Sequence, residues 1–99
     1  MKNLFVILIT YTKPMNEIET ILPAHRTFLQ KGYESKHLLA SGPQNPKTGG
    51  IVIGTFDSKK TAEEFFKNDP YALNSVATHQ VLEFTPVLHQ EFLKGFLGI

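Results

Sequence analysis

The order of the elements that the sequence predicts indicates an α+β domain with a ferredoxin-like fold. Short β-branched and aromatic segments, typical of strands, alternate with longer segments whose apolar residues recur at helical spacing. The order is strand, helix, strand, strand, helix, strand, which is the split β-α-β motif. A length of 99 residues suffices for one core. We therefore expect a four-stranded antiparallel sheet with two helices on one face.

The first strand and the first helix are predicted from the change in apolar period near the N-terminus. Residues 4–9 are all apolar and too few for a helix, so they form the first strand. A helical pattern then runs from Met15 to Gly32 around Pro23. Because an interior proline kinks a helix or begins a new one, we predict a short turn followed by a main helix over residues 23–31.

The middle of the chain predicts two strands joined by a long loop. A short second strand over residues 38–40 leads into residues 41–50, which contain three glycines and two prolines. The third strand covers residues 51–56. Asp57 or Ser58 supplies the N-cap of the second helix.

The last third of the chain predicts a helix end, a strand and a terminal helix. The second helix must end by Asp69, because the proline after it disfavours helical geometry. A short helix is expected at about residues 70–74 and a fourth strand over residues 78–85. An amphipathic helix is expected at about residues 87–97, weakened by Gly95.

Composition excludes several classes of protein. No cysteine is present, which excludes disulfide scaffolds, thiol nucleophiles and thiolate metal sites. A formal charge of +1 offers no electrostatic footprint for nucleic acid or for an anionic membrane. The apolar run at residues 4–9 is far below the roughly 20 residues of a transmembrane helix. We expect a cytoplasmic, single-domain protein over residues 1–99, with its core at about 3–87.

The first strand also predicts a homodimer. Residues 4–9 do not alternate between apolar and polar, so both faces of the sheet need cover, and the helices supply it for one face only. A second copy of the chain, joined sheet to sheet, is the simplest cover. The apolar stripe at residues 92–97 is a further candidate for contact with the partner subunit.

Two neighbouring residues on the first helix are candidates for a site. His25 falls in the middle of the apolar stripe, where it is either a buried structural imidazole or a general acid or base whose pKa is tuned by burial. Position alone favours the structural interpretation. Arg26 lies at the edge of the stripe, where a solvated side chain is the simpler interpretation.

Asp69 also has two interpretations. Aspartate before proline is a preferred N-cap and first-turn pair, which is sufficient to explain the residue. The same carboxylate could orient an imidazole across a site. The sequence does not decide between them.

The glycine-rich loop at residues 41–50 could bring backbone N–H groups close to an anionic or carbonyl ligand, or could be a plain hairpin connection. It has no nucleotide-binding motif. No two of the four histidines have a metal-ligand spacing, so no metal site is predicted. Ser41 lacks the nucleophile-elbow motif of serine hydrolases.

An ordered set of short motifs resembles the YciI-like, or YCII-related, family over about residues 5–87. The motifs are His25-Arg26 with Phe28-Leu29, Leu39-Ala40-Ser41-Gly42-Pro43, Gly49-Gly50, Asp69-Pro70-Tyr71 and Glu83-Phe84.

The resemblance implies a ferredoxin-like domain of the dimeric α+β barrel type. It also implies a catalytic dyad of His25 and Asp69, with Ser41 and Gly42 bordering the same pocket. Few members of the family have an assigned activity; one is an aromatic dehydrochlorinase. The phenylalanine-rich tail after Pro86 departs from the family pattern.

These considerations favour a small enzyme of lyase, isomerase or hydrolase type that uses no cofactor or metal and acts on a small molecule such as an aromatic compound. His25 would transfer a proton, Asp69 would hold its tautomer, and Arg26, Ser41 and Gly42 would contribute to binding, with loop amides near Gly42 facing negative charge. The alternatives are a non-catalytic dimer that senses a small molecule, and a purely structural dimer.

Overall fold

The computed structural model describes all residues 1–99 and contains one antiparallel four-stranded sheet in the order β2-β3-β1-β4. Helices α1, α2 and α3 pack on one face of this sheet. The predicted ferredoxin-like α+β fold is thereby confirmed. The strands are β1 (Leu4–Tyr11), β2 (Leu38–Pro43), β3 (Gly49–Gly54) and β4 (Ala77–Phe84), and the helices are α1 (Met15–Glu34), α2 (Lys59–Phe66), α3 (Pro70–Leu73) and α4 (Lys94–Leu97).

The core lies between the sheet and the helices. Phe5, Ile7 and Ile9 of the central strand β1 face the helices and are buried. Ile7 pairs with Val52 of β3 on one side and with Val81 of β4 on the other, so the three strands present one continuous apolar layer. The residues between them in β1 point to the opposite face, because side chains alternate along a strand.

Helix α1 is continuous, so the predicted break at Pro23 is wrong. Proline removes one helical N–H donor, but residues on both sides of it, Ile18 and Phe28 among them, bury against the same sheet. The packing of that face outweighs the lost bond. Gly32 does not end the helix either. A Cβ atom there would lie 2.6 Å from a side-chain carbon of Leu38, so the glycine permits close contact between α1 and β2.

Strand β2 continues to Pro43, three residues further than predicted, which shortens the connecting loop to residues 44–48. Strand β3 covers Gly49–Gly54, two residues earlier at each end than the predicted 51–56, and Gly49 explains its early start. A Cβ atom at this position would lie 1.7 Å from the carbonyl oxygen of Ile9, so only glycine allows β3 to approach β1 here.

The second helix begins as predicted from Ser58, whose side chain accepts a hydrogen bond of 3.0 Å from the backbone N–H of Thr61. Residues 67–69 connect this helix to the short helix α3. It ends at Leu73, close to the predicted limit.

The C-terminal segment differs from the predicted helix at about residues 87–97. It forms a 3₁₀ turn at Glu91–Leu93 and then the single turn α4. Gly95 weakens a longer helix, and in this segment only Leu97 anchors to the domain as a buried apolar side chain within a helical turn. Phe92 is 81% exposed. No helix of the chain combines the length and apolarity needed to cross a membrane.

The Gly49 contact yields a prediction about stability. We expect Gly49→Ala to lower the free energy of unfolding by about 1–3 kcal/mol or more, because β3 must move away from β1 to admit the methyl group. Gly42→Ala is the matched control, since a Cβ atom there has no neighbour within 4 Å. Urea unfolding of the two variants compares them. Equal stabilities would contradict the close approach.

Candidate active site

His25 and Asp69 lie 44 positions apart in the sequence and meet in the fold. The Nδ1 atom of His25, on α1, is 2.7 Å from Oδ1 of Asp69, the N-cap residue of α3. Both side chains are buried, and Asp69 is 0% exposed. The structure thus brings together the two residues that the resemblance implies as a dyad.

Asp69 performs both of the tasks that the sequence left open. Its Oδ1 accepts a hydrogen bond of 3.0 Å from the backbone N–H of Tyr71, which caps α3, and it also accepts the hydrogen bond from Nδ1–H of His25. Its Oδ2 faces Nε2 of His79, on β4, at 2.8 Å. One carboxylate therefore joins α1, α3 and β4.

The hydrogen bonds determine the charge of Asp69. Burial opposes ionisation, but the bonds from His25, His79 and the backbone of Tyr71 outweigh it and hold the pKa of the Asp69 carboxyl below its ordinary value of 3.8.

An ionised carboxylate only accepts hydrogen bonds, which assigns the tautomers of both histidines. The donated proton must be on Nδ1 of His25 and on Nε2 of His79. Nε2 of His25 makes no hydrogen bond to the protein and carries the lone pair of the neutral imidazole.

The Tyr71 ring packs against one face of the His25 imidazole. The two rings stack with centroids 3.9 Å apart and planes 9° from parallel. The Tyr71 hydroxyl is buried and has no hydrogen-bond partner among the protein atoms. Burial raises the pKa of Tyr71, and the nearby Tyr11 phenol adds to this effect, so the side chain stays neutral.

A cavity of about 300 Å³ adjoins the imidazole. It lies over the sheet, between α1 and the β2–β3 hairpin. Its apolar surface comes from Ile9 and Val52 of the sheet and from Ile18, Leu22 and Leu29 of α1. This volume is at the lower end of the range for ligand pockets, so it suits a small molecule.

The other three site residues predicted from the sequence all line this cavity. Arg26, Ser41 and Gly42 line it together with His25, while Asp69 lies behind the imidazole. The Oγ atom of Ser41 contacts the Tyr33 hydroxyl at 2.6 Å and no histidine, so the structure does not pair it with a base. No group of three or more histidine, aspartate or glutamate side chains is arranged to bind a metal ion.

Sequence reasoning missed His79, Tyr71 and Lys47 as site residues. His79 could have been found from strand parity, because it shares its face with Ala77 and Val81 and pairs with Ile9. Tyr71 follows the Asp-Pro cap directly. For Lys47, which also lines the cavity, the loop sequence carries no such signal.

The model of the YCII-related domain family matches residues 4–85 of the chain. No curated protein matches the sequence significantly.

Several solved structures share the fold at low sequence identity. One is a 5-chloro-2-hydroxyhydroquinone dehydrochlorinase from Burkholderia phenoliruptrix AC1100 in complex with 2,5-dihydroxybenzoquinone, with a TM-score of 0.71, 18% identity, and coverage of 83% of this chain and 93% of that chain. Another is SnoaB, a cofactor-independent oxygenase from Streptomyces nogalater, with a TM-score of 0.54, 13% identity, and coverage of 92% and 99%. An antibiotic biosynthesis monooxygenase has a TM-score of 0.57, 18% identity, and coverage of 86% and 99%. At these identities the likeness establishes the fold alone.

The buried carboxylate yields a prediction about stability and pH. We expect Asp69→Asn to lower the free energy of unfolding at neutral pH by about 1.5–3 kcal/mol, because the amide presents N–H groups to a histidine that already donates. The folded-state pKa of Asp69 is depressed, so its contribution is present above the unfolded value of 3.8 and is lost as the pH falls through the folded pKa. The difference between the two proteins should therefore shrink below about pH 4. Chemical denaturation between pH 2 and 7 measures it, and a difference that does not change with pH would contradict this account.

Proposed function

Because this chain belongs to the YCII-related domain family and its cavity ends on a paired imidazole, we propose that it is a cofactor-free enzyme of lyase, isomerase or hydrolase type. The reaction proceeds by proton transfer on a small molecule. One observation carries this proposal: the 2.7 Å contact from His25 Nδ1 to the buried Asp69 carboxylate, which leaves Nε2 without a protein partner beside the cavity.

His25 acts as the general base and then as the general acid. Its Nε2 lone pair takes a proton from the substrate, and the imidazolium that forms keeps its Nδ1–H bond to Asp69. The ionised carboxylate stabilises this cation directly, and His79 on the other oxygen restrains the carboxylate from rotating. Asp69 is a positioning residue, since it lies behind the imidazole and does not reach the cavity.

The substrate class that fits best is a small hydroxylated aromatic or quinone. The apolar side chains of β1, β3 and α1 provide flat walls for one ring. The similar dehydrochlorinase structure holds 2,5-dihydroxybenzoquinone, which makes that compound the first probe for this chain. Arg26, Ser41 and Gly42 contact the ligand from the mouth of the cavity and from the hairpin.

The chain works as a homodimer joined through the open face of its sheet. This face carries Val6, Leu8, Ile51 and Ile53, with Leu82 and Phe84 at 44% and 47% exposure. None of α1, α2 and α3 covers it. An apolar sheet face of this kind is typically buried against a second sheet.

The catalytic role of His25 has a direct test. In D₂O, we expect the wild-type protein to catalyse deuterium exchange at the ring carbons of 2,5-dihydroxybenzoquinone, measured by NMR. His25→Asn should reduce this rate by about 10²–10⁴-fold, because it removes the group that delivers a deuteron to the ring carbon and then takes the proton from it. The asparagine amide can still donate to Asp69, so Tm should stay within a few degrees of wild type.

Two results would count against this role. Equal exchange by His25→Asn and wild type would show that another group moves the proton. Stabilisation by the quinone with no exchange in either protein would favour the non-catalytic sensing dimer.

The dimer has its own test. We expect Leu82→Glu to yield a monomer in light scattering, because the substitution places a charge in the apolar interface. Leu73→Glu is the matched control, since Leu73 is 67% exposed and ends α3 on the other side of the sheet. A monomeric wild-type protein, or a dimer that persists in Leu82→Glu, would contradict the interface.

A further inference from the structure

The mouth of the cavity carries three charged side chains. Glu19 and Arg26 lie two turns apart on α1, and Lys47 lies on the β2–β3 loop. All three are solvent-exposed and none takes part in an ion pair. Two cations and one anion leave the mouth with an excess of positive charge, whereas the chain as a whole is close to neutral.

The backbone of the loop fixes Lys47 at this mouth. The N–H of Thr48 donates to the carbonyl of Pro46 at 2.7 Å, which makes a three-residue turn with Lys47 at its centre. The carbonyl of Thr48 accepts the N–H of Tyr11 at 3.0 Å, and this bond ties the turn to the end of β1. The close approach of Gly49 to Ile9 adds a second attachment. The lysine therefore projects from an anchored turn.

Arg26 reaches the cavity from the opposite wall. It follows His25 in α1, so the helix that presents the base also presents the guanidinium. Both Arg26 and His25 line the cavity, so the guanidinium brings a positive charge to the same wall as the base. A ligand in the cavity thus lies between two cations, with apolar walls around its ring.

We propose that the substrate is a small planar anion, and that Arg26 and Lys47 select it by charge. This inference rests on the proposed function and specifies the substrate class for the same site. The acidic group of the ligand, a carboxylate or an ionised hydroxyl, faces Arg26 and Lys47, and the ring lies over Ile9 and Val52. Glu19, the one anion at the mouth, opposes the anionic ligand and offsets part of the attraction of the two cations.

Selection by charge is measured with two ligands of the same shape. The probes are 4-hydroxybenzoate and the uncharged 4-hydroxybenzamide, whose dissociation constants are determined by NMR titration. We expect the wild-type protein to bind the acid about threefold to fivefold more tightly than the amide at low salt, since each exposed cation contributes a few-fold and Glu19 offsets one of the two. The preference should decline as salt is raised, because the charges are exposed.

Four charge variants test whether each side chain strengthens or weakens binding of the acid. Lys47→Gln and Arg26→Gln should each weaken binding of the acid about threefold to fivefold and leave the amide unchanged. Glu19→Gln should strengthen binding of the acid by a similar factor. Lys60→Gln is the matched control, because Lys60 is an exposed lysine of α2 outside the cavity. It changes the net charge equally and should leave both constants unchanged.

The outcomes separate this inference from the proposed function. The inference is overturned if wild type binds the two probes equally or binds neither, or if Lys60→Gln changes the preference as much as Lys47→Gln does. His25→Asn should keep the preference for the acid, because the imidazole does not provide it. Retained preference with unchanged proton exchange in His25→Asn would contradict the proposed function alone. Equal binding of the two probes by wild type, together with proton exchange that depends on His25, would contradict this inference alone.

Discussion

The Asp69 carboxylate is the interaction on which the rest of the site depends. It is fully buried, and a buried charge is tolerated only when hydrogen bonds replace its hydration. Three donors from α1, α3 and β4 provide this replacement. The hydrogen bond that each element donates to Asp69 also helps to hold that element in position. The stability of the fold and the proposed chemistry consequently depend on one group.

The same carboxylate determines what the imidazole of His25 can do. Accepting the proton of Nδ1 makes Nε2 the basic atom of the ring. The stacked Tyr71 ring and the second histidine, His79, restrict rotation of the pair. The apolar cavity wall then determines where a ring can lie, and the exposed cations at the mouth are far less desolvated than the base. The proposed proton transfer and the proposed charge recognition therefore use different parts of one cavity.

Periodicity predicted four strands, their order along the chain and the presence of helices on one face, because these follow from local apolar patterns, but it placed the bounds of β2 and β3 two or three residues away from those observed. It failed at Pro23, where the tertiary packing of α1 outweighed the local preference of proline, and in the C-terminal segment, where helical spacing is present but little of the segment is buried. Both failures arise because packing partners distant in sequence decide whether a weak local signal becomes an element.

The site was less accessible to sequence reasoning than the fold. His25 and Asp69 were paired through a family resemblance, since no spacing rule joins residues 44 positions apart. His79 was detectable only by combining strand parity with the expected packing of helices on that face. The position of Lys47 at the cavity depends on the backbone bonds of its loop, which composition does not reveal.

The tautomers of the two histidines test the central claim most directly. Long-range ¹H–¹⁵N correlation spectra of the imidazoles distinguish a protonated ring nitrogen from a basic one. The account predicts that His25, in its neutral form, carries its proton on Nδ1, and that His79 carries its proton on Nε2. A neutral His25 protonated on Nε2 would contradict it, because the basic nitrogen would then face Asp69 and the cavity would contain no base.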